Sequence, residues 1–459
     1  MEKTAEYWRR KNAYYYGWLD RTFAHNVRPG SRVLHVGCEA GDLLAAVNPA
    51  YGVGIDTDER AIESARRRFP QYRFEVQDPH TISLDETFDY ILICNSIGVW
   101  SDIQRVLERL RPLTHNDTRI IIVYYSHLWE GLLRMGSRLG LRRPNACQNW
   151  LPPEDIVNFL YLSGYDTIRR ESMMTMPKYI PLLSSFCNHV LSLLPVFRAF
   201  NLIHLVVARP DPVPADPADL SVSVVVPCRN EKGNIAEAVA RIPEMGRWTE
   251  IIFVDGSSTD GTPAAIEEQI ALHPERRIRL IHQGDGKGKG DAVRKGFAAA
   301  EGDVLVIQDA DLTAPPEDMP KFFNAFCQGK GEFINGSRLV YPMEKQAMRF
   351  LNLLGNKFFG KLFSWLLNQR FRDTLCGTKM LSRRHYDILA ANRAYFGDFD
   401  PFGDFDLIFG SVRQNFKVVE VPVTYRARTY GTTNIDRFRH GWLLLRMSWI
   451  AFKKFKWKI

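Results

Sequence analysis

Short apolar runs alternate along the chain with stretches of amphipathic character. Apolar runs of about four to eight residues between polar ones are typical of strands covered on both faces, whereas apolar positions three and four residues apart are typical of helices. The first half has candidate strands at residues 32–36, 52–55, 72–76, 90–94, 119–124, 165–170 and 202–208, with helical stretches such as 59–69 and 103–110. The second half has candidate strands at residues 222–226, 250–254, 278–281 and 304–307. The alternation predicts α/β domains with largely parallel sheets.

A proline-rich stretch divides the chain. Four prolines fall within residues 210–217, and they favour an extended spacer because proline blocks both helices and sheet ladders. A length of 459 residues with 45% apolar composition suits two or three globular domains. We therefore predict an amino-terminal domain over residues 1–209, a linker over 210–220, a second domain over 221–434 and a basic amphipathic tail over 435–459.

The net charge of +8 lies near the end of the sequence. Residues 426–459 hold nine Lys/Arg and one acid, which leaves 51 basic and 51 acidic residues elsewhere, so a nucleic-acid partner is not indicated. The seven cysteines are scattered and form no C-x-x-C pair, which favours a reducing cytosol over a zinc site or disulfides. We expect no secretory signal at the amino terminus, and no apolar run reaches the roughly 20 residues that span a bilayer.

A strand that runs into a glycine turn and then a helix opens the first domain. Gly37 and Gly41 stand in this turn, where glycines let the backbone approach a ligand closely. Asp56 follows the second predicted strand, where a carboxylate accepts hydrogen bonds from a ribose diol, and Asp78 follows the third, where it would face an adenine edge. The ordered set indicates a nucleoside pocket at the strand ends.

This set resembles the class I S-adenosylmethionine-dependent methyltransferases over about residues 30–130. The resemblance implies a Rossmann-like sheet that binds S-adenosyl-L-methionine through Gly37, Gly41, Asp56 and Asp78, with Asn95 beside the cofactor.

Two positions depart from that family's pattern. His35 stands where an acidic residue is usual, and Glu39 replaces the middle glycine of the turn. His35 cannot accept the methionine amine as a carboxylate would, and Glu39 replaces part of that charge. The alternative to an active methyltransferase is an inactive cofactor-binding or scaffold module, and the methyl acceptor is left open.

In the second half, two carboxylates one residue apart follow the buried run at residues 304–307. Side chains of an extended chain alternate with period two, so Asp309 and Asp311 are expected to point the same way. Two hard oxygen ligands at an open loop form half of a site for Mg²⁺ or Mn²⁺, with phosphate and water completing it. A lone pair of this kind is also common in polar turns, so its surroundings decide between the two interpretations.

Polar groups follow the neighbouring strands as well, where ligands bind in open α/β sheets. The first of these strands is expected to break at proline. A glycine-rich loop at residues 286–290 carries lysines that suit a pyrophosphate, although it lacks the residue order of an NTPase phosphate-binding loop. In chain order the candidate substrate-binding residues are Pro227, Arg229, Glu231, Asp255 and Lys289.

Together these motifs resemble the family 2 glycosyltransferases of the GT-A fold, most closely the dolichol-phosphate mannose synthase group, which glycosylates polyprenyl phosphates. The likeness runs over about residues 221–434. The roles that it implies are nucleoside binding by Pro227, Glu231 and Asp255, metal and sugar-nucleotide binding by Asp309, Ala310 and Asp311, donor binding by Arg338 and Asn434, and phosphate clamping by Arg428.

Three positions differ from that group and leave the donor sugar open. Thr313 replaces a glutamine after the aspartate pair, Gly256 replaces the second aspartate after residue 255, and Thr433-Asn434 replaces Ser-Lys.

The acceptor decides whether a general base is needed. A phosphate acceptor is already an anion at neutral pH, so it needs no strong base. For a hydroxyl acceptor, Asp404 or Asp406 would act as the base. The alternative role for these two residues is a charge at a helix amino terminus.

Two amphipathic stretches bear on where the acceptor is met. The predicted apolar faces are Leu351, Leu354, Phe358, Leu362 and Trp365 in the first stretch, and Phe438, Trp442, Leu445, Trp449 and Phe452 in the tail. Such a face usually packs on a core. In the tail, however, tryptophans stand beside cations, which favours an interfacial helix on an anionic membrane. The prediction is a bifunctional enzyme, peripheral to the cytoplasmic face of the membrane, that pairs an inverting, metal-dependent glycosyltransferase with a methyltransferase of the same glycan or lipid pathway.

Overall fold

The computed structural model describes residues 4–143, 149–286, 288–342, 350–395, 403–428, 430–431 and 437–457. The chain divides after Pro212 into two compact units, called unit 1 and unit 2 below. Within the described residues each unit contains one seven-stranded sheet with helices against it. The predicted α/β class is confirmed for both halves.

Unit 1 is built on a mixed sheet. Its strands are β1 (Arg32–Val36), β2 (Tyr51–Asp56), β3 (Arg73–Val76), β4 (Phe88–Cys94), β5 (Thr114–Tyr125), β6 (Tyr165–Met173) and β7 (Ile203–Pro210). Their order is β3-β2-β1-β4-β5-β7-β6, parallel from β3 to β5, with β7 antiparallel to both neighbours. Its helices are α1 (Ala5–Lys11), α2 (Ala13–Asn26), α3 (Asp42–Val47), α4 (Glu59–Arg68), α5 (Ile103–Leu110), α6 (Glu130–Arg138), α7 (Pro153–Leu162), α8 (Leu183–His189) and α9 (Pro195–Arg198).

The strands of unit 1 lie where the apolar runs predict them, with one large difference in extent. Strand β5 begins at Thr114, five residues before the predicted start, because Thr114 pairs with Phe88 ahead of a bulge in β5. The four residues from 114 to 117 are polar, so hydrophobicity gives no signal for them. Along β1, Val33 and Leu34 pack into apolar layers on opposite faces of the sheet, as alternation requires.

Unit 2 also has a mixed sheet. Its strands are β8 (Val222–Cys228), β9 (Thr249–Asp255), β10 (Arg277–His282), β11 (Val304–Ile307), β12 (Phe333–Ser337), β13 (Lys379–Ser382) and β14 (Val418–Pro422). The order is β10-β9-β8-β11-β13-β12-β14, and β13 runs antiparallel to both of its neighbours. Its helices are α10 (Ile235–Arg241), α11 (Thr262–Leu272), α12 (Gly288–Ala299), α13 (Met319–Cys327), α14 (Phe350–Leu367), α15 (Arg383–Ala391), α16 (Phe405–Arg413) and α17 (Arg437–Phe455).

Strand β8 does not break at Pro227, contrary to the prediction. It continues to Cys228, and Pro227 pairs with Val254 of β9. On the other side of β8, pairing with β11 ends at Val225. A proline is tolerated beyond that point because its missing N–H removes no ladder hydrogen bond on the unpaired side.

The predicted apolar face of α14 is only partly directed at the core. Leu362 and Trp365 are half-buried and pack against it, and the side chain of Leu351 lies outside the described residues. Leu354 and Phe358 are exposed, whereas Phe359, Phe363 and Leu366 are buried in the core of unit 2. Apolar residues occupy more than one side of this helix, so spacing alone does not identify the side that packs. All three buried residues belong to the core cluster that includes α16, and the ring of Phe363 contacts those of Phe405 and Phe409.

Helix α17 divides its apolar residues between the core and solvent. Leu444, Met447 and Ala451 are buried, while Trp442, Leu445 and Trp449 of the predicted seam are exposed. The side chain of Phe438 lies outside the described residues. None of the helices in the described part of the chain combines the length and the apolar character needed to cross a membrane.

Candidate active sites

A cavity of about 650 Å³ opens in unit 1 at the carboxyl ends of β1, β2 and β4. Gly37, Asp56, Asp78 and Asn95 all line it, so the structure brings these four sequence-predicted residues together. Gly41 lies behind the wall, and a side chain there would collide with Phe74 at 2.8 Å. The cavity wall is therefore built by the predicted strand ends.

The turn after β1 depends on glycine at position 37. Its φ is +77°, and an added Cβ would lie 2.7 Å from the Cβ of Ser96. The amide groups of Gly37 and Cys38 donate to the carbonyl oxygen of Ile55, at 2.9 and 3.0 Å. The main chain is thereby held at the cavity without a side chain in the way.

The acidic residues of the cavity are held by main-chain amides. Asp56 accepts hydrogen bonds from the amides of Glu39 and Asp58, at 2.8 and 3.0 Å. Asp78 is exposed and accepts a bond of 2.9 Å from the amide of His80, which lowers the pKa of Asp78. Both carboxylates are fixed before any ligand arrives.

Asn95 and His35 place polar atoms that lack partners against this cavity. The Asn95 amide donates to the hydroxyl of Tyr15 at 2.9 Å, while its buried Oδ1 accepts no hydrogen bond from the described residues. Burial lowers the pKa of His35 to about 3, so the ring is neutral. Neither ring nitrogen has a hydrogen-bond partner among the described residues. A neutral imidazole cannot replace a carboxylate.

Glu39 is not a free carboxylate either. It has a φ of +46° and an ion pair of 3.0 Å with Arg143, and burial raises its pKa. Its side chain is therefore partly neutralised by Arg143.

Sequence reasoning missed the contribution of α1 and α2. Arg9 and Asp20 form an ion pair at the cavity, and the second oxygen of Asp20, Oδ1, is buried without a hydrogen-bond partner among the described residues. Burial raises the pKa of Asp20, and Arg9 opposes that shift. The available signal in the sequence was a lone aspartate, Asp20, that follows Tyr14-Tyr15-Tyr16 within an aromatic helix.

In unit 2, Lys289 holds the first aspartate of the pair. Its Nζ lies 2.6 Å from Oδ1 of Asp309. Burial disfavours the charged forms of both groups, but their mutual attraction outweighs it, so the pKa of Lys289 is raised and that of Asp309 is lowered. Gly377 permits the arrangement, since a Cβ there would lie 1.9 Å from the Asp309 carboxylate.

The second aspartate belongs to a separate cluster. Arg428 donates to Asp311 and also to Glu231, the latter at 3.2 Å. Burial raises the pKa of Glu231, and Arg428 partly offsets this effect. Oδ1 of Asp311 accepts from both the amide and the hydroxyl of Thr313, at 3.1 and 2.9 Å. Residues from β8, β11 and the loop after β14 thus meet at one point.

Arg338 does not extend freely toward this cluster. Its guanidinium makes a two-pronged ion pair with the buried carboxylate of Asp373, at 2.7 and 2.9 Å. Burial opposes the charges, but the pair raises the pKa of Arg338 and lowers that of Asp373. Asp373 therefore fixes the position of Arg338.

Asp404 and Asp406 lie in different surroundings. Asp404 is buried 2.9 Å from the ammonium of Lys379, and burial raises its pKa although Lys379 and Lys289 oppose the shift. Asp406 lies 3.3 Å from Arg393 and 3.9 Å from Arg294. Asp404 adjoins the Lys289–Asp309 pair, whereas Asp406 faces arginines.

The other predicted substrate residues lie at the same sheet edge. Asp255 is buried at the end of β9 and accepts from the amide of Ser258 at 3.3 Å. Pro227 ends β8 with Cys228, Arg229 is exposed just beyond, and Ala310 is buried between the two aspartates. Asn434 lies outside the described residues.

The folds and sites define a chain with two transferase units, and similarity to known proteins agrees. Residues 223–388 match Glycosyl transferase family 2, and residues 34–120 match a Methyltransferase domain. A dolichyl-phosphate hexose transferase of Haloferax volcanii is 30% identical over 223 residues, which cover 48% of this chain and 89% of the relative. The chain belongs to glycosyl transferase family 2, and it carries a methyltransferase domain in its first half.

Two further relatives are matched over a smaller share of their length. The low-salt glycan biosynthesis hexosyltransferase Agl6 of Haloferax volcanii is 28% identical over 231 residues, 49% of this chain and 52% of the relative. The dolichol-phosphate mannosyltransferase of Saccharomyces cerevisiae is 43% identical over 112 residues, 23% of this chain and 41% of the relative. The chain thus spans about half the length of these two proteins.

Proposed function

We propose that unit 2 moves a sugar from a nucleotide-sugar donor to a polyprenyl (dolichyl) phosphate, with inversion and with a divalent metal, and that unit 1 is an S-adenosylmethionine-dependent methyltransferase of the same glycan or lipid pathway. The domain limits are those given by the sequence, residues 1–209 and 221–434. The observation that carries the proposal is that both aspartates are paired with cations at the sheet edge, Asp309 with Lys289 and Asp311 with Arg428, which also binds Glu231.

The donor set of unit 2 suits a hard cation. Asp309 and Asp311 offer carboxylate oxygens beside the hydroxyl of Thr313. The two aspartates would hold Mg²⁺ or Mn²⁺, which neutralises charge on the leaving nucleoside diphosphate. Lys289 and Arg428 neutralise the same carboxylates, and they would pair with the pyrophosphate if a cation took their place there.

In the transfer step, a phosphate oxygen of the acceptor forms a bond to the anomeric carbon. The bond from that carbon to the diphosphate oxygen breaks, and the leaving oxygen keeps the electron pair. Arg428 and Lys289 stabilise the charge that develops on the diphosphate. Glu231 and Asp255 hold the nucleoside, and Arg338, fixed by Asp373, holds the donor.

The second candidate is a hydroxyl acceptor, with Asp404 as general base. A raised pKa suits a base, and Asp404 lies next to the Lys289–Asp309 pair. In this alternative unit 1 is an inactive cofactor-binding or scaffold module.

A donor screen separates these two acceptors. Nucleotide sugars are incubated with Mn²⁺, with and without a short polyprenyl phosphate, and release of the nucleoside diphosphate is measured. The phosphate acceptor is expected to accelerate release for one donor. If only hydroxyl-bearing lipids accelerate release, the phosphate acceptor is refuted.

For unit 1, the cavity fits S-adenosylmethionine through its unpartnered polar atoms. Asp56 suits the ribose, Asp78 the adenine edge, and the unpartnered Oδ1 atoms of Asp20 and Asn95 are acceptors for the methionine amine. The cofactor supplies an activated methyl group when bound. Asp56, Asp20 and Asn95 would hold the cofactor so that a nucleophilic atom of the acceptor could take this methyl group.

Asp20→Asn is expected to weaken S-adenosylmethionine binding by about tenfold or more, because a charge-assisted hydrogen bond contributes about 1.5–3 kcal/mol. In this proposal Asp20 accepts the hydrogen bond from the methionine amine, which the neutral His35 cannot do as a carboxylate would. Titration calorimetry measures the affinity. Asp85→Asn, at an exposed position of the same unit, is the matched control. Unchanged affinity in Asp20→Asn, with a loss in Glu39→Gln, would assign the amine to Glu39 instead.

We also propose that α17 meets an anionic membrane surface on the cytoplasmic side. The support is the exposed row of Trp442, Leu445 and Trp449, with Lys453 over the ring of Trp449 at 5.1 Å. A polyprenyl phosphate is met at such a surface.

A further inference from the structure

Unit 1 carries an apolar surface of its own. Of the 19 exposed large hydrophobic side chains described in unit 1, 15 lie in residues 128–141 and 179–200, which we call the unit 1 apolar surface. Single exposed leucines are normal in proteins, but a concentration of this kind marks an interaction site. The surface includes α6 and α8.

Leu182 shows how strongly this surface is directed outward. Its side chain is 89% exposed, and its φ of +63° lies in the left-handed region that a leucine rarely adopts. Phe186, one turn into α8, is 52% exposed. A large apolar side chain held outward at the expense of backbone strain indicates contact with something apolar.

The two segments belong to one surface. The indole N–H of Trp129 donates to the carbonyl oxygen of Phe200 at 2.9 Å, and the amide of Ser126 donates to that of Leu202 at 2.8 Å. The first segment lines the cavity through Leu132, and Lys178, which directly precedes the second segment, lines it as well. The cofactor cavity therefore borders the apolar surface.

The charge of these segments selects the partner. Residues 128–141 and 179–200 contain three arginines and a single acid, Glu130, and that acid lies 2.6 Å from Arg134. Arg142 and Lys178 stand just beyond the two segments and add two cations. Unit 1 otherwise carries its acids and bases in mixed pairs, such as Arg68 with Asp42. Apolar side chains among cations with almost no acids match an anionic bilayer, in which the apolar groups enter the acyl boundary and the cations meet lipid phosphates.

We infer that the unit 1 apolar surface docks on an anionic lipid bilayer, so that the cavity opens at the head-group level and takes its methyl acceptor, an amphiphile with a polar head, from the lipid phase. The identity of the acceptor class rests on the proposed methyltransferase function. The docking itself does not, since it depends only on the exposed side chains and their charge.

The test measures flotation of the full-length protein with vesicles that contain phosphatidylglycerol and with vesicles of phosphatidylcholine alone. Leu139→Glu/Phe186→Glu places two acids on the surface, and Tyr161→Glu/Leu162→Glu alters two exposed apolar residues of unit 1 that lie outside it. Each pair is also made in a Trp449→Glu background, which removes a contribution of α17. In Leu139→Glu/Phe186→Glu two large apolar side chains no longer enter the bilayer, so binding to anionic vesicles is expected to fall by about tenfold or more.

The control pair is expected to bind as the parent does, and both pairs should keep the melting temperature and S-adenosylmethionine affinity of the parent. Unchanged vesicle binding in Leu139→Glu/Phe186→Glu would overturn the inference. If the pair changes only the mass of the protein in sedimentation, the inference is also overturned, and the surface is assigned to contact with a second copy of the chain. Loss of vesicle binding in a protein that binds no S-adenosylmethionine would refute the methyltransferase and leave the docking supported.

Discussion

Asp311→Ala is expected to lower sugar transfer by at least about a hundredfold, because it removes both a proposed metal ligand and the carboxylate that positions Arg428. The loss should fall on kcat more than on KM. In the proposed mechanism Glu231 and Asp255 hold the nucleoside, whereas Asp311 and a bound metal would offset charge that develops in the transition state. Initial rates at several Mn²⁺ concentrations measure the effect, and the variant should need more Mn²⁺ for its residual activity.

Asp387→Ala is the matched control, since it removes an exposed aspartate of α15 in the same unit. It should transfer sugar as the parent does. Normal activity in Asp311→Ala at ordinary Mn²⁺ concentrations would refute the metal assignment. A loss of kcat that extra Mn²⁺ does not relieve, with an unchanged Mn²⁺ requirement, would instead give Asp311 a role only in holding Arg428.

The parts of both sites that follow strands were predictable from the sequence. A buried run followed by a polar residue marks a strand end, and the carboxyl ends of parallel strands meet at one edge of a sheet. The sequence pattern alone therefore predicts the places of Asp56 and Asp78 in unit 1 and of Asp255 and Asp309 in unit 2. The glycine at position 37 followed from the same turn.

Contacts between distant segments were not predictable in this way. Lys379 meets Asp404 because β13 enters the sheet antiparallel beside β11, and a four-residue strand gives little signal of its direction. Asp20 reaches the cavity of unit 1 from α2, a helix that precedes the first strand motif. Such pairings depend on topology rather than on local spacing.

Helical faces were predicted less well than strands. When apolar residues surround a helix, their spacing fits more than one possible buried face. In α14 the structure buries Phe359 and Phe363 in place of Leu354 and Phe358. In α17 it leaves the tryptophan row exposed and buries the row beside it. Periodicity shows that a face exists, and the shape of the core decides which face is used.

Lys379→Met is expected to lower the stability of unit 2 by about 3–5 kcal/mol, because it leaves the charge of Asp404 buried and uncompensated. Urea-dependent hydrogen exchange of unit 2 peptides measures the loss without assuming that the two units unfold together. The double variant Lys379→Met/Asp404→Leu removes both charges and should recover most of the stability. A double variant as unstable as Lys379→Met would show that the pair is not the cause.

The same variant should depend on pH in a defined direction. Burial already raises the pKa of Asp404, and without Lys379 the pKa of the folded state rises further, whereas the unfolded value stays near the ordinary value of about 3.9. Between these two values the folded state binds more protons than the unfolded state, so stability falls as the pH rises through that window. The deficit of Lys379→Met relative to the parent should therefore be smaller at about pH 5 than at about pH 8. A deficit that does not change with pH would mean that the variant disturbs packing and not the charge of Asp404.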